Sequence, residues 1–213
     1  MSERLPPEAE VLNRSPEPAP LSVIEALRDA TRSLHEGLGS SAAMSRLFAS
    51  DYTISEYRLH LNRLLGFFEP LECAASLAAQ TEGSVQLLQR SSDLREDLHN
   101  MGATAQDIDA IERCQRLPPI VPAGLRGYTY VILGSTLGAR IIVKQLRAAL
   151  GPDASFRFYG DEDGRYQAAW AAFRLDLEEN GKDDVEAICA TAAGIFDSYA
   201  AWFSEPTPTK EVL

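Results

Sequence analysis

The sequence predicts a single all-α domain, and three observations support this prediction. Hydrophobic residues make up 45% of the chain, which is enough for one sizeable core, and 213 residues are too few to favour two domains. Apolar residues recur at helical spacing behind residues that commonly begin helices. No alternating strand pattern runs for more than a few residues, and there is no internal repeat. We therefore expect a packed group of seven or eight helices.

The first helix is predicted from a capping box at its start. In this motif the Ser22 hydroxyl and the Glu25 carboxylate each satisfy a backbone N–H that the helix leaves free. Glycines at positions 37 and 39 predict its end. Four apolar residues share one face of the helix and are expected to point inward: Ile24, Leu27, Leu34 and Leu38.

The same signals predict the other helices. A second capping box, Thr53 with Glu56, begins a long helix with Tyr57, Leu61, Leu64, Leu65, Phe68 and Leu71 inward, which Pro70 should kink or break. Residues 117–122 form a proline-rich connector. The other expected helices are Ala42–Ala49, Ser84–His99, Thr104–Cys114, Ala123–Leu150, Asp161–Glu179 and Asp183–Phe203. In the last two, the expected core residues are Ala168, Trp170, Phe173, Leu177, Ile188, Phe196, Tyr199 and Phe203.

Both ends of the sequence are predicted to lie outside the helical domain, which spans 21–203. Residues 1–20 are rich in Pro and Glu and are interpreted as a disordered tail without a secretory signal, and 204–213 as a flexible tail. The most apolar stretch, Tyr128 to Val143, is interrupted by glycines and by Arg140, so no membrane span is expected. These features indicate a cytoplasmic protein.

The charge distribution excludes one class of partner and points to another. The net charge of -11 argues against nucleic-acid binding, which needs clustered positive charge. Between Glu112 and Asp153, however, there is no acidic residue. Local variation around a buried helix and a site for an anionic ligand or an acidic protein are both open explanations. The basic residues of this run are Arg113, Arg116, Arg126, Arg140, Lys144 and Arg147.

The three cysteines, Cys73, Cys114 and Cys189, lie far apart and show no zinc or redox spacing. We expect them to be buried, reduced and inert, although the odd count leaves a disulfide or a reactive thiol open. Buried, reduced thiols fit a cytoplasmic location.

Three glycines in the predicted helix 123–150 need a physical reason, because glycine costs about 1 kcal/mol relative to alanine inside a helix. Gly134 and Gly138 are four residues apart and share a face with each other. They clear a flat strip where the helix could lie against another helix, the more common case, or against a planar ligand. Glycines, including Gly127, also allow the helix to bend.

His35 lies in the first helix on a face that it shares with Arg28, Thr31, Arg32 and Leu38. A lone histidine in such a setting is usually structural. Two arginines one and two turns before it change the interpretation, because a cofactor with an iron centre and two rim carboxylates needs one neutral imidazole and fixed positive charge at one edge.

Two motifs resemble those of a known family. The segment Leu27–His35 (LRDATRSLH) resembles the proximal helix of heme oxygenases, in which a Thr-x-x-x-His unit follows basic residues. The segment Tyr130–Arg140 (YVILGSTLGAR) is similar to the distal helix of bacterial members. A weaker match joins Trp170-x-x-Phe173 and Leu177 to the late aromatic helix of the family. The resemblance spans about Leu21 to Phe203, and the members that supply the bilin of bacteriophytochromes look most similar.

This resemblance implies an enzyme that opens heme to biliverdin, ferrous iron and carbon monoxide, using dioxygen and external electrons. It implies that His35 ligates the iron. Heme-binding residues implied by the resemblance are Arg28, Thr31, Arg32, Tyr130 and Phe173, and the catalytic distal residues are Gly134, Ser135 and Gly138. Because the sequence has no flavin, nicotinamide or iron–sulfur motif, a ferredoxin or flavoprotein reductase is the expected electron donor, docking on the basic run. A bilin-accepting photoreceptor is a further expected partner.

The sequence departs from the family pattern at three positions. Leu133 stands where bacterial members often have Glu, and Ser135 where mammalian members have Asp. Gly39 occupies the place of the carboxylate that follows the proximal histidine. We therefore expect proton delivery through water held by Ser135 and backbone carbonyls, and a His35 ring oriented by water or a carbonyl.

Two other functions remain open at this stage. The first is a heme-binding sensor or carrier on the same fold without efficient turnover. The second is a thiaminase-like helical enzyme, for which Cys189 and Glu186 form the only suggestive nucleophile and carboxylate pair. His60 and His99 match no motif and are expected to be structural or superficial, and Trp170 is expected in the core.

Overall fold

The computed structural model describes residues 21–80, 87–151, 154–160 and 164–205. These residues contain no strand, so the all-α prediction is confirmed. The predicted N-terminal tail and residues 206–213 of the C-terminal tail lie outside the described residues. Two short 3-10 turns, Pro122–Gly124 and Lys182–Asp184, precede α6 and α9. The α-helices are α1 Val23–Gly39, α2 Ala42–Leu47, α3 Ile54–Ala79, α4 Ser91–Asn100, α5 Ala105–Asp109, α6 Leu125–Leu137, α7 Ala139–Leu150, α8 Arg165–Asn180 and α9 Val185–Ser204.

Both predicted capping boxes are present. The Glu25 carboxylate accepts the Ser22 backbone N–H at 2.9 Å, and the Ser22 hydroxyl accepts the N–H of Glu25. Thr53 and Glu56 repeat the arrangement at the start of α3. Each box satisfies two backbone donors that would otherwise lack partners, which explains why these boundaries were predictable from sequence.

Helix α3 crosses the centre of the larger core and, contrary to one predicted outcome, does not break at Pro70. Proline lacks the N–H that would bond the carbonyl of Gly66 four residues earlier. The backbone N–H of Cys114 bonds that carbonyl instead, at 2.8 Å. A Cβ at Gly66 would overlap the Glu112 carbonyl oxygen, so the glycine allows this neighbouring segment to approach. The tertiary contact replaces the hydrogen bond that proline removes.

The two predicted short helices are shorter than expected. Helix α4 begins at Ser91, where the Glu72 carboxylate of α3 accepts the backbone N–H groups of Arg90 and Ser91. Residues 87–90 are not helical, and 84–86 lie outside the described residues. Helix α5 ends at Asp109, because the chain then turns toward α3 to form the Cys114 bond.

The predicted helix 123–150 consists of two helices that meet at Gly138. Helix α7 ends at Leu150, and the φ of +80° at the following Gly151 is accessible mainly to glycine, so the predicted stop is confirmed. No helix in the described part of the chain is both long and apolar enough to cross a membrane.

Helices α1 and α6 pack on α9, and α8 packs on α6 and α1, around a smaller second cluster. The predicted core residues of α8 and α9 divide into three groups. Phe173, Leu177 and Ile188 are buried as predicted, whereas Ala168 is exposed, which corrects that prediction. Trp170 and the α9 rings are half-buried: Phe196, Tyr199 and Phe203.

The cysteines are free, and their burial differs from one to the next. Cys114 is buried, Cys189 is half-buried and Cys73 is exposed on α3. The prediction that all three are buried is therefore wrong for Cys73, which lies on the solvent side of its helix.

His60, which was expected to be structural or superficial, should make stability depend on acid. Burial lowers the pKa of its imidazole to about 4, compared with an ordinary value near 6.5. Between these pH values the unfolded chain binds a proton that the folded chain does not, so the free energy of unfolding falls as pH falls from about 6.5 to 4. We expect His60→Gln to reduce this loss by about 2–3 kcal/mol, measured by urea unfolding across that range.

The matched control is His99→Gln, because His99 is exposed at the end of α4. In this variant the free energy of unfolding should depend on pH as steeply as in the unmodified chain. If the free energy of unfolding depended equally on pH in all three proteins, burial of His60 would not oppose its protonation.

Candidate functional site

The second half of α1 lacks the cover that its first half has. All four buried residues of this helix lie in its first nine positions: Val23, Ile24, Leu27 and Thr31. Leu34 and Leu38, predicted to point inward, are only half-buried, and His35 is exposed. An amphipathic helix that leaves this end of its inner face uncovered has room there for a ligand.

His35 is not a core histidine, because its side chain is exposed. Its ring meets Phe196 of α9 edge-on, with the ring centroids 6.2 Å apart. No hydrogen bond joins its imidazole to another described residue. Phe196 was predicted only as core, and nothing in its spacing signalled this contact. The aromatic edge steadies the ring while a nitrogen lone pair stays available.

The two arginines before His35, Arg28 and Arg32, differ in whether they form an ion pair. Arg28 is exposed and forms no ion pair with a described residue. The Arg32 guanidinium pairs with Asp29, with 2.5 Å between nitrogen and oxygen, which raises its pKa. This pair is fully solvated and therefore contributes little to stability. Another carboxylate can replace Asp29 at low cost.

A contact between Thr31 and Tyr130 marks where α1 approaches α6. Their hydroxyl oxygens are 3.4 Å apart, and Thr31 also donates to the carbonyl of Leu27 at 2.8 Å. His35 and Gly134 each lie four residues after one of these contacts and so on the same face of their own helix. The structure thus brings the predicted proximal and distal segments together one turn before the two predicted functional positions, His35 and Gly134.

The glycines of the distal segment play two different roles. A Cβ at Gly127 would overlap the carbonyl oxygen of Ile188, so this glycine serves close packing against α9. A Cβ at Gly134 or at Gly138 would meet no atom within 4 Å. Close helix packing, the more common explanation, is therefore wrong for these two positions. They form an open strip on the distal side.

The residues on either side of Gly134 point in different directions. Leu133 is buried in the second cluster with Leu27 and Phe173. Ser135 is exposed, and its hydroxyl donates to the carbonyl of Ile132 at 2.7 Å. The donor of Ser135 is thus used within its own helix, while its oxygen can still accept a hydrogen bond.

An aromatic row connects the distal helix with α8. The ring centroids of Tyr130 and Trp170 are 6.0 Å apart, and those of Trp170 and Phe173 are 5.8 Å apart. Phe173 is buried at the inner end of this row, and Trp170 is half-buried between its neighbours. The row packs the outer face of α6 beside the Thr31 contact.

A single exposed imidazole, that of His35, is the candidate metal ligand of this site. No group of three or more His, Cys, Asp or Glu side chains in the described ranges is arranged to hold a metal ion. A bare metal ion needs about that many protein ligands. Iron held by four porphyrin nitrogens needs only an axial ligand such as a single imidazole.

Comparison with known proteins gives the family. The sequence model described as heme oxygenase matches residues 21–205 of this chain. This chain belongs to the heme oxygenase family. Among solved structures, a heme oxygenase from Leptospira interrogans is similar, with a TM-score of 0.60 and 22% identity over 86% of this chain and 99% of that chain. No curated protein matches. At that identity the structural likeness shows the heme oxygenase fold.

Membership of the heme oxygenase family removes the main support for the thiaminase-like alternative, and the chemistry of Cys189 agrees. Burial raises the pKa of the Cys189 thiol, which disfavours the nucleophilic thiolate. Glu186 is exposed and forms no hydrogen bond with Cys189. The pair is therefore not an activated nucleophile.

Proposed function

We propose that this heme oxygenase opens heme to biliverdin, ferrous iron and carbon monoxide, with dioxygen and electrons from an external donor. One observation carries the proposal. An exposed imidazole on α1 and an open glycine strip on α6 each follow, by one helical turn, the contact that joins Thr31 to Tyr130. These are the two faces that a flat macrocycle with a central iron needs.

The residues present fit heme. Neutral His35 is proposed as the iron ligand, because its ring is exposed, held by Phe196 and not committed to another described residue. The missing side chains of Gly134 and Gly138 allow the backbone of the distal segment to lie close to a planar ring. Bound heme supplies the iron at which dioxygen is activated and is itself the molecule oxidised.

The rim of the ring is proposed to be held by charge and by packing. Arg28 carries an unpaired guanidinium among the described residues, and Arg32 can exchange Asp29 for a propionate, since both are exposed. Thr31 and Tyr130 border the site through their hydroxyl contact, and Phe173 supports Tyr130 through Trp170.

Protons are proposed to reach the distal side through water rather than through a carboxylate. Leu133 stands where bacterial members often have Glu, and it is buried in the second cluster. No carboxylate at this position can therefore deliver a proton to the site. The exposed Ser135 oxygen can accept a hydrogen bond from water, which passes a proton to the reacting side. This weaker arrangement is also the observation that favours a heme sensor or carrier as the second candidate function.

Turnover of added hemin separates these two functions. We expect the purified chain to give a Soret band with hemin and, with ascorbate or a ferredoxin system under air, to lose it as a biliverdin spectrum appears. A stable Soret band under the same conditions would favour the sensor or carrier. Absence of a Soret band would contradict both functions.

The proposed electron donor is an acidic ferredoxin or flavoprotein reductase. The structure divides the basic run: Arg113, Arg116 and Arg126 pair with Glu69, Glu205 and Asp176 respectively. Arg140 and Lys144 lie four residues apart on one face of α7, are exposed and form no ion pair with a described residue, and the exposed Arg147 follows three residues later. This α7 face, with exposed Leu137 and Ile141 beside it, is the proposed docking surface.

Charge reversal on α7 tests the docking surface. We expect Lys144→Glu to raise the KM for the donor about tenfold at low salt, and the difference should fade as salt is added, because steering of an acidic partner is screened. The control is Arg116→Glu, which changes the net charge equally at a cation already paired with Glu205. Similar effects of both reversals would indicate only a net-charge effect.

The proposed setting is the cytoplasm of a bacterium, with a bilin-accepting photoreceptor of the bacteriophytochrome type as the recipient of the product. Support for this subtype comes from the Tyr130–Arg140 motif, which is similar to that of bacterial members. Release of product to an apo-photoreceptor, followed by its red absorption band, tests this assignment.

A further inference from the structure

Tyr159 and His60 form a polar pair inside the aromatic part of the core. The Tyr159 hydroxyl oxygen lies 2.6 Å from His60 Nε2, and the two rings are within 10° of parallel. Burial raises the pKa of the Tyr159 phenol well above its usual range and lowers the pKa of the His60 imidazole to about 4. At neutral pH the phenol therefore keeps its proton and donates it in a hydrogen bond to neutral His60.

A series of aromatic rings lies between this pair and His35. Phe196, whose ring contacts His35, lies on α9 one turn before Tyr199. The rings of Tyr199 and Phe203 stack with centroids 4.2 Å apart, and Phe203 lies 5.9 Å from His60. The proposed iron ligand and the polar pair thus each contact an aromatic ring of the same helix, α9.

Tyr159 differs from the other described core tyrosines in donating to an imidazole. Tyr166 donates to the Asp93 carboxylate at 2.6 Å, but Arg90 and Arg165 already pair with that carboxylate. The hydroxyls of Tyr57 and Tyr128 donate to the backbone carbonyls of Ser155 and Leu88, which do not accept a proton outright. Tyr199 forms no hydrogen bond with a described residue. An oxidised phenol is a strong acid, so it is stabilised where a neutral imidazole already accepts its hydrogen bond.

We propose that Tyr159 and His60 form a one-electron redox site in which electron loss is coupled to proton transfer. Tyr159 gives one electron to a strong oxidant, its O–H bond breaks and an N–H bond forms at His60 Nε2. The products are a neutral tyrosyl radical, an imidazolium ion and an oxidant reduced by one electron. An external one-electron reductant restores the phenolate oxygen, and His60 returns the proton.

The oxidant in the cell is proposed to be heme that peroxide has oxidised and that takes back one electron from Tyr159, so this connection rests on the proposed function, whereas the redox site itself does not. Oxidising equivalents that would otherwise attack His35 would pass through Tyr199 to a position where the radical is stabilised. The site would protect the heme-binding helix during turnover.

Photo-oxidation of the full chain without heme tests the site. A ruthenium tris-bipyridine complex with persulfate serves as the oxidant, and the tyrosyl radical is followed by electron paramagnetic resonance and transient absorption. Tyr159→Phe and His60→Phe each keep a ring and should lower the radical yield at least about tenfold. Tyr57→Phe, which removes a buried phenol without a base, should leave the yield unchanged.

Two further readouts separate the outcomes. In the unmodified chain, radical formation should be slower in deuterated water than in ordinary water. This measurement needs no variant, and a change in packing alone cannot produce the effect. An unchanged radical yield in Tyr159→Phe, or equal rates in both waters, would overturn the proposal. Zinc protoporphyrin, used as a photo-oxidant, tests the route from His35: failure of the porphyrin to bind contradicts the proposed function, while the ruthenium experiment still decides on the redox site.

Discussion

Replacing His35 with alanine is expected to weaken hemin binding by at least about tenfold to a hundredfold and to remove the spectrum of imidazole-ligated iron. The expectation follows from geometry, because no other described imidazole has comparable surroundings: the Nε2 of His60 accepts the hydrogen bond of Tyr159, and His99 lies on α4. Loss of a metal ligand costs at least as much affinity as loss of a residue that orients it. Hemin titration followed by the Soret band measures the change.

The control for this prediction is His99→Ala, which removes an exposed imidazole and should keep both the affinity and the spectrum. Free imidazole added to His35→Ala should restore the ligated spectrum, because removal of the side chain leaves space beside Phe196. His35 is exposed, so its loss should leave the free energy of unfolding nearly unchanged. A His35→Ala protein with the unmodified spectrum would contradict the assignment of the ligand.

The parts of the fold that sequence predicted are those decided within one or two helical turns. Capping boxes at Ser22 and Thr53 set helix starts through side chains three residues apart, and Gly151 sets a stop through its own backbone conformation. The continuity of α3 through Pro70 depends instead on an N–H from Cys114, which lies 48 residues from the carbonyl it bonds in Gly66. Such contacts cannot be inferred from local periodicity.

The candidate site was predictable to a similar extent. The spacing of Arg28, Arg32 and His35 selected the proximal segment, because these residues lie on one helix. Sequence could not distinguish Gly127 from Gly134, since the first packs on the Ile188 backbone and the second faces open space. The same limit applies to Phe196, which is apolar and helical like its neighbours and contacts His35 only because α9 packs along α1.

Two alanine substitutions in one helix should therefore have opposite effects on stability. We expect Gly127→Ala to lower the free energy of unfolding by roughly 2–4 kcal/mol, because its Cβ would overlap the Ile188 carbonyl and force α6 away from α9. We expect Gly134→Ala to raise the free energy of unfolding by roughly 0.5–1 kcal/mol, because alanine favours the helix and its Cβ meets no atom within 4 Å. Urea unfolding of the two proteins without heme measures both.

The Gly134 position then separates the fold from the ligand site. A larger side chain, in Gly134→Leu, should still fold, because the strip is open, yet it should fill the space proposed for the heme face. A clash of the kind that costs 1–3 kcal/mol in a packed core would weaken hemin binding about tenfold to a hundredfold. Unchanged hemin affinity in a folded Gly134→Leu protein would mean that the strip faces solvent rather than heme. A loss of affinity without a loss of stability is an effect that only a ligand on this strip explains.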